Sequence, residues 1–178
     1  MNHCLVFFNG PSVVQFYSLP HKIVEIGCNF IQKHRQVNHV CCFDHQMKSK
    51  IATIPPTLYY CRNGHRGAGW NEVIWNSEET VQNSGMMAIR LAINLKFKNI
   101  WVLGCDWNNT NKSVYDDLYQ KDQTLPQAPG RKKYTDTQLR QMDIWMEKRG
   151  VRVVTNLKSP FKKFTIQIKS FLETYDSL

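Results

Sequence analysis

LVFFNGPSV, residues 5–13, decides how the chain is read. Leu5 to Phe8 are apolar without interruption, the pattern of a strand covered on both faces of a parallel sheet. Asn9, Gly10, Pro11 and Ser12 then end it abruptly. Such residues make a turn by default, because Gly tolerates unusual dihedrals, Pro fixes φ, and Asn or Ser bonds nearby backbone. They also suit a ligand loop, where backbone N–H groups and a short amide meet a nucleotide at a strand's carboxyl end. On these residues alone both readings stand.

Working outward, strand-like runs follow at 23–27, 39–43, 57–61, 72–75, 99–103 and 151–154. Between them, residues 84–96 have helical character, with Met87, Leu91 and Leu95 spaced by four. TDTQLRQMDIWMEKRG, residues 135–150, carries a full set of helix signals. Thr135 caps it, Gln138 completes a Thr-x-x-Gln capping box, and Gly150 stands where a C-terminal cap is wanted. Its stripe of Leu139, Met142, Trp145 and Met146 reads as core. KKFTIQIKSFLETY, residues 162–175, predicts a last helix despite its β-branched residues. The alternation implies an α/β fold: one Rossmann-like domain over residues 1–178, with a mostly parallel sheet flanked by helices. Residues 61–70 and 106–133 read as long loops, and a long loop in a compact domain is a common place for function.

A chain of 178 residues with 42% hydrophobic residues can bury a real core. Long disorder is excluded on that composition. No apolar run approaches the roughly 20 residues that span a bilayer, and MNHCLVFFNGPS does not read as a signal peptide. Six Cys lie mostly in apolar runs without a CxxC pair, which points to packed, reduced thiols and a cytoplasmic location. The net charge of +9, much of it in GRKKYTD and LKSPFKKFTIQIK, favours phosphate-bearing partners, whether nucleotides, nucleic acid or anionic lipid. A solvated basic surface is the plainer reading of the same charge. No RNP-type motif, zinc finger or basic-aromatic stripe raises nucleic acid further. The oligomeric state is not encoded in any pattern found.

Polar residues cluster after the strands. Asn9, Gly10 and Ser12 follow the first, Asn29 the second, Asp44 the third, and Asp106 follows NIWVLGC. Asn83, Ser84 and Gly85 open a helix, where free backbone N–H groups offer an anion site and Gly85 allows close approach. Each has a plain structural alternative: Ser84 as an ordinary N-cap, Asp44 as the cap of HQMKSK rather than a ribose contact. Their joint placement at strand carboxyl ends is the stronger signal. No cluster of metal-ligand residues is evident, and no cofactor is required.

These residues resemble a family. LVFFNGPSV, IVEIGCNFI, NSGMMAIRLAINLKFKNIWVLGCDW and GRKKYTD occur in the order and rough spacing of bacterial lipooligosaccharide sialyltransferases. The Asn-Gly-Pro-Ser and Ser-Gly pattern is also similar to a wider group that includes flagellin-glycosylation accessory proteins and archaeal hydroxymethylpterin pyrophosphokinases. In length the chain resembles small proteins of tailed marine phages, which would place it in a host cytoplasm.

The resemblance implies that Asn9, Gly10 and Asn29 contact the phosphate or sugar of a cytidine nucleotide, with Ser84 and Gly85 holding base or ribose. It places Tyr115, in KSVYDD, where the family has a Tyr that donates to the departing phosphate. A phenol there stabilises the charge that builds on the leaving group. At the family's general-base His this chain has Arg131, which stays protonated and cannot accept a proton near neutral pH. Val81 stands where the family has the Arg that precedes its Thr-Ser-Gly, and Ala128 where it has another phosphate-facing Tyr. His45 or His65 would have to supply a base from elsewhere. Arg131, Lys132 and Lys133 suit phosphate binding instead, with a planar fork and two diffuse charges.

Three readings follow. One is a glycosyltransferase-like enzyme with a nucleotide sugar as donor. Another is a non-catalytic nucleotide-binding module. The last is a basic nucleic-acid or partner-binding domain whose elbows are structural. A pyrophosphokinase is a weaker enzyme alternative, and it would need Asp44 and Asp106 to hold magnesium.

Overall fold

Eight strands pair in parallel throughout, in the order β5-β4-β3-β2-β1-β6-β7-β8. They are β1 (His3–Phe7), β2 (Val24–Cys28), β3 (His39–Cys42), β4 (Leu58–Arg62), β5 (Trp70–Val73), β6 (Asn99–Leu103), β7 (Val151–Val154) and β8 (Thr165–Ile166). The computed structural model describes residues 2–67, 69–106 and 135–178. Four helices are described: α1 (His45–Lys48), α2 (Ser84–Asn94), α3 (Asp136–Arg149) and α4 (Ile168–Asp176).

The uninterrupted apolar strands are explained by a core on each face of the sheet. On one face, Cys4, Val6, Ile26, Ile100 and Val102 meet α2 and the Met142, Trp145 and Met146 stripe of α3. On the other, Leu5, Phe7, Trp101 and Leu103 meet Val13, Phe16 and Ile31 from 3₁₀ turns, Met47 of α1, and Phe171 and Tyr175 of α4. Successive residues of the central strands β1, β2, β3 and β6 are therefore covered on both faces, as a parallel sheet with layers on both sides requires. All six cysteines are free and buried within these layers. Burial raises the Cys42 thiol to about 12 and holds Cys4, Cys28 and Cys41 well above the usual range, so none of the four is a ready nucleophile.

The helix signals are realised as read for α3. Thr135 accepts from the Gln138 N–H, Gln138 accepts from the Thr135 N–H, and Gly150 ends the helix at φ 66°. Elsewhere the structure corrects the reading. Residues 162–175 are not one helix: a 3₁₀ turn at Lys162–Phe164 precedes β8, and α4 starts only at Ile168. The β-branched Thr165 and Ile166 pair with Val153 and Val154, and the ladder outweighs helix formation there. β5 begins earlier than expected, at Trp70, whose ring packs beside Tyr59 at 5.3 Å. Residues 63–69 then suffice for a parallel return, because four paired positions span only about 10 Å.

At the end of the sheet remote from the carboxyl termini, Arg35 anchors the segment that follows β1. Its Nε donates to Glu25 Oε2 at 2.8 Å, and its other nitrogens reach Glu25 Oε1 and the carbonyls of Tyr17 and Leu19. Both charges are buried, and such a pair is tolerated because its hydrogen-bonding capacity is filled.

Candidate functional site

The order of the strands creates the site. From β1 the chain winds outward through β2 to β5, then crosses back to β6 and winds the other way through β7 and β8. β1 and β6 are therefore the switch point, and the crevice beyond their carboxyl ends is where open α/β sheets receive ligands.

The Asn9–Gly10–Pro11–Ser12 elbow spans that crevice. Phe8 N–H donates to Leu103 O at 2.8 Å, and Gly10 N–H to Gly104 O at 2.9 Å. Ser12 then holds Asp106 twice, from its N–H to Oδ2 at 2.8 Å and from its hydroxyl to Oδ1. A Cβ on Gly10 would lie 2.6 Å from Asp106 Oδ2 and closer still to Gly104 O, so this approach admits only glycine. Pro11 opens a 3₁₀ turn over Pro11–Phe16 that plants Val13 and Phe16 in the core. The elbow is thus a turn tied at both ends. Asn9 keeps an unengaged group within it: its Oδ1 is buried and has no hydrogen-bond partner among the described residues.

A second group lies one strand over. Asn29 follows β2 with φ 52°, and its N–H bonds Cys41 O at 2.9 Å. A short polar side chain tolerates this left-handed geometry better than most. Its Oδ1 accepts from Ser84 Oγ at 2.8 Å, and Ser84 Oγ accepts from Phe43 N–H at 3.0 Å. Both side chains are buried. Ser84 is therefore a bridge between β2, β3 and α2. The cap of α2 is not Ser84 but Asn83, whose Oδ1 accepts from Met86 N–H at 2.9 Å. Gly85 joins the two groups: its position faces Phe8, and an added Cβ would lie 2.5 Å from that ring.

The remaining carboxylate has a local role. Asp44 caps α1, accepting from Gln46 N–H at 3.1 Å. Asp44 and Asp106 thus each have a structural partner, and among the described residues no three His, Cys, Asp or Glu gather as metal ligands. Tyr115 and Arg131, with Lys132, Lys133 and Ala128, lie outside the described residues.

At the carboxyl ends of β3 and β4 the sequence reading named Asp44, His45 and His65 but neither Lys48 nor Arg62. There His45 and His65 stack with ring centroids 5.0 Å apart, and Lys48 Nζ donates to His65 O at 2.5 Å. Desolvation first, then the charges of Arg62, His45 and Lys48, hold the His65 pKa below its ordinary value. Arg62 itself lies over the Phe43 ring, its guanidinium carbon 5.5 Å from the centroid. The available signal was positional, since each of these residues stands at or just after a strand's end.

The fold has solved counterparts. The chain is similar to the sialyltransferase CST-II in complex with a trisaccharide acceptor and CMP, with TM-score 0.58 and 13% identity over 93% of this chain and 86% of that one. It is likewise similar to a tyrosine-to-phenylalanine variant of CST-II in complex with CMP, with TM-score 0.54, 12% identity and the same coverage of both chains. No family model and no curated protein sequence matches the chain. The architecture is that of a sialyltransferase-like fold. No helix among the described residues is long and apolar enough to cross a membrane.

Proposed function

We propose, from the premise of a sialyltransferase-like fold, that this chain is a glycosyltransferase-like protein that binds a nucleotide or nucleotide sugar, a cytidine nucleotide first. The observation that carries the reading is the tied elbow at the switch point, with the Asn9 amide oxygen buried and unpartnered among the described residues. A buried acceptor without a donor is costly, so the amide is better explained by a ligand N–H or O–H than by the fold. Asn29 supplies the complementary group: its Oδ1 is occupied by Ser84, which turns its amide N–H₂ to the ligand as donor. Both CST-II structures are complexes with CMP, and the charge of +9 suits such an anion.

On this reading Tyr115 donates to the departing phosphate and the Arg131–Lys133 cluster steadies it. The donor is a nucleotide sugar and the acceptor a glycan, of phage or host in line with the phage resemblance. The reaction takes place in a cytoplasm that keeps the six thiols reduced. A pyrophosphokinase fits less well, because both Asp44 and Asp106 already bind backbone or side-chain donors of the protein.

Calorimetric titration with cytidine, uridine, guanosine and adenosine nucleotides tests the reading. Selective binding of CMP that Asn9→Ala weakens about tenfold supports it, and release of CMP from a nucleotide sugar that Tyr115→Phe slows extends it to catalysis. Saturable binding without turnover leaves a non-catalytic module. Absence of binding across the panel, with steeply salt-dependent binding to DNA or RNA, replaces it with the nucleic-acid reading that the basic charge favours.

A further inference from the structure

β4 ends at Arg62, two strands from the Asn29 turn in the sheet order. Neighbouring strands stand about 4.8 Å apart, which puts the two backbones about 10 Å from each other at the same edge. The side chains bridge that interval. Arg62 lies over Phe43 at 5.5 Å, Phe43 N–H donates to Ser84 Oγ, and Ser84 donates to Asn29. A contiguous row therefore leads from the β2 turn to a guanidinium.

That guanidinium is unlike the structural arginine of this chain. Arg35 fills its donors with both Glu25 oxygens and the Tyr17 and Leu19 carbonyls. Arg62 Nε is buried and meets no acceptor among the described residues, and no ion pair described there includes Arg62. The nearby carboxylates are engaged elsewhere: Glu72 accepts from the Gly64 and Arg66 N–H groups, and Asp44 caps α1. Lys48 and the His45–His65 stack keep the surroundings cationic or neutral. Burying a cationic donor without an acceptor is expensive, and a planar fork on an aromatic shelf is preorganised for two oxygens of one oxyanion.

We infer that Arg62 is an oxyanion-binding side chain of the site, taking the phosphate of the nucleotide or the carboxylate of an acidic sugar attached to it. The inference deepens the nucleotide reading and rests on it for the identity of the ligand. It adds a binding residue on β4 that lies outside every motif of the sequence.

The test follows the Arg62 Nε–H signal by nitrogen-edited NMR, assigned by its loss in Arg62→Lys. Inorganic pyrophosphate, CMP, cytidine and free sialic acid are titrated in turn. The expected result is a shift of that signal by pyrophosphate and CMP but not by cytidine. Arg62→Gln then weakens CMP about tenfold or more, as loss of a charged hydrogen bond does, and changes cytidine by less than about twofold. A shift with sialic acid and not with CMP assigns the carboxylate instead of the phosphate. If CMP binds and neither it nor the sugar moves the signal, Arg62 is structural and the nucleotide reading survives. If pyrophosphate moves the signal while no nucleotide binds, the nucleotide reading falls and the oxyanion subsite stands. No shift with any of the anions overturns the Arg62 assignment. These titrations use the native chain, so a poorly folded Arg62→Gln does not decide them.

Discussion

Ser12 grips Asp106 with two hydrogen bonds across 94 residues of chain, one from its N–H at 2.8 Å and one from its hydroxyl. The contact closes the β1 elbow onto the end of β6, and it is a charge-assisted pair of the stronger kind. Asp106→Ala is expected to lower stability by about 2 kcal/mol, since two donors to a partly buried carboxylate are left open. Asp106→Asn retains one acceptor and should lose less. Urea unfolding midpoints rank the variants, and equal midpoints for all of them would show that the elbow is held by its backbone bonds alone.

Asn9 and Ser84 should separate binding from stability. The Asn9 Oδ1 has no protein partner among the described residues, so Asn9→Ala leaves the unfolding midpoint unchanged or raised. Its CMP affinity falls about tenfold, the loss of one good hydrogen bond. Ser84 bridges Phe43 and Asn29, so Ser84→Ala lowers stability by about 1–3 kcal/mol as well as binding. Paired calorimetry and urea melts measure both quantities, and a large stability loss in Asn9→Ala would make that side chain structural.

Gly85 has a packing reason that a variant can expose. A Cβ there would come within 2.5 Å of the Phe8 ring, so Gly85→Ala is expected to cost about 1–3 kcal/mol by overpacking. Phe8→Leu in the same chain should restore part of that loss. A double-mutant cycle by thermal unfolding reads the coupling, and additive losses would place the strain elsewhere.

Acid should weaken the protein through His39. Its pKa is lowered by burial, and its Nδ1 has no partner among the described residues. The folded state therefore resists a proton that the unfolded chain accepts near its ordinary value of about 6.5. Stability is complete above that pH and declines as pH falls from there toward the lower folded pKa, because the unfolded state binds more protons in that window. His65 is shifted the same way and adds to the same slope. Urea midpoints at a series of pH values should drop on acidification, and His39→Gln should flatten the curve. A midpoint that rises between pH 7 and 5 would contradict the sign.

The sequence by itself determined the layers. Continuous apolar runs identify buried parallel strands, and Thr135, Gln138 and Gly150 mark both ends of α3, because these signals act between residues a few positions apart. The placing of Asn9, Ser12, Asn29 and Asp106 after strands was legible for the same reason, since a strand's end is local information. Tyr115 was legible only by resemblance, and Arg131 by resemblance and by its basic cluster; both lie outside the described residues.

Only the tertiary structure decided which of these groups remain available to a ligand. Thr165 and Ile166 became a strand because β7 offered an open edge, and Asn83 rather than Ser84 capped α2 because Ser84 turned toward Asn29. Gly85 is required by a phenyl ring 77 positions earlier in the chain, and Arg62 meets the site through Phe43, which directly follows the neighbouring strand. Side-chain direction and strand order set these contacts, and both come from pairing between distant segments. No local pattern contains them.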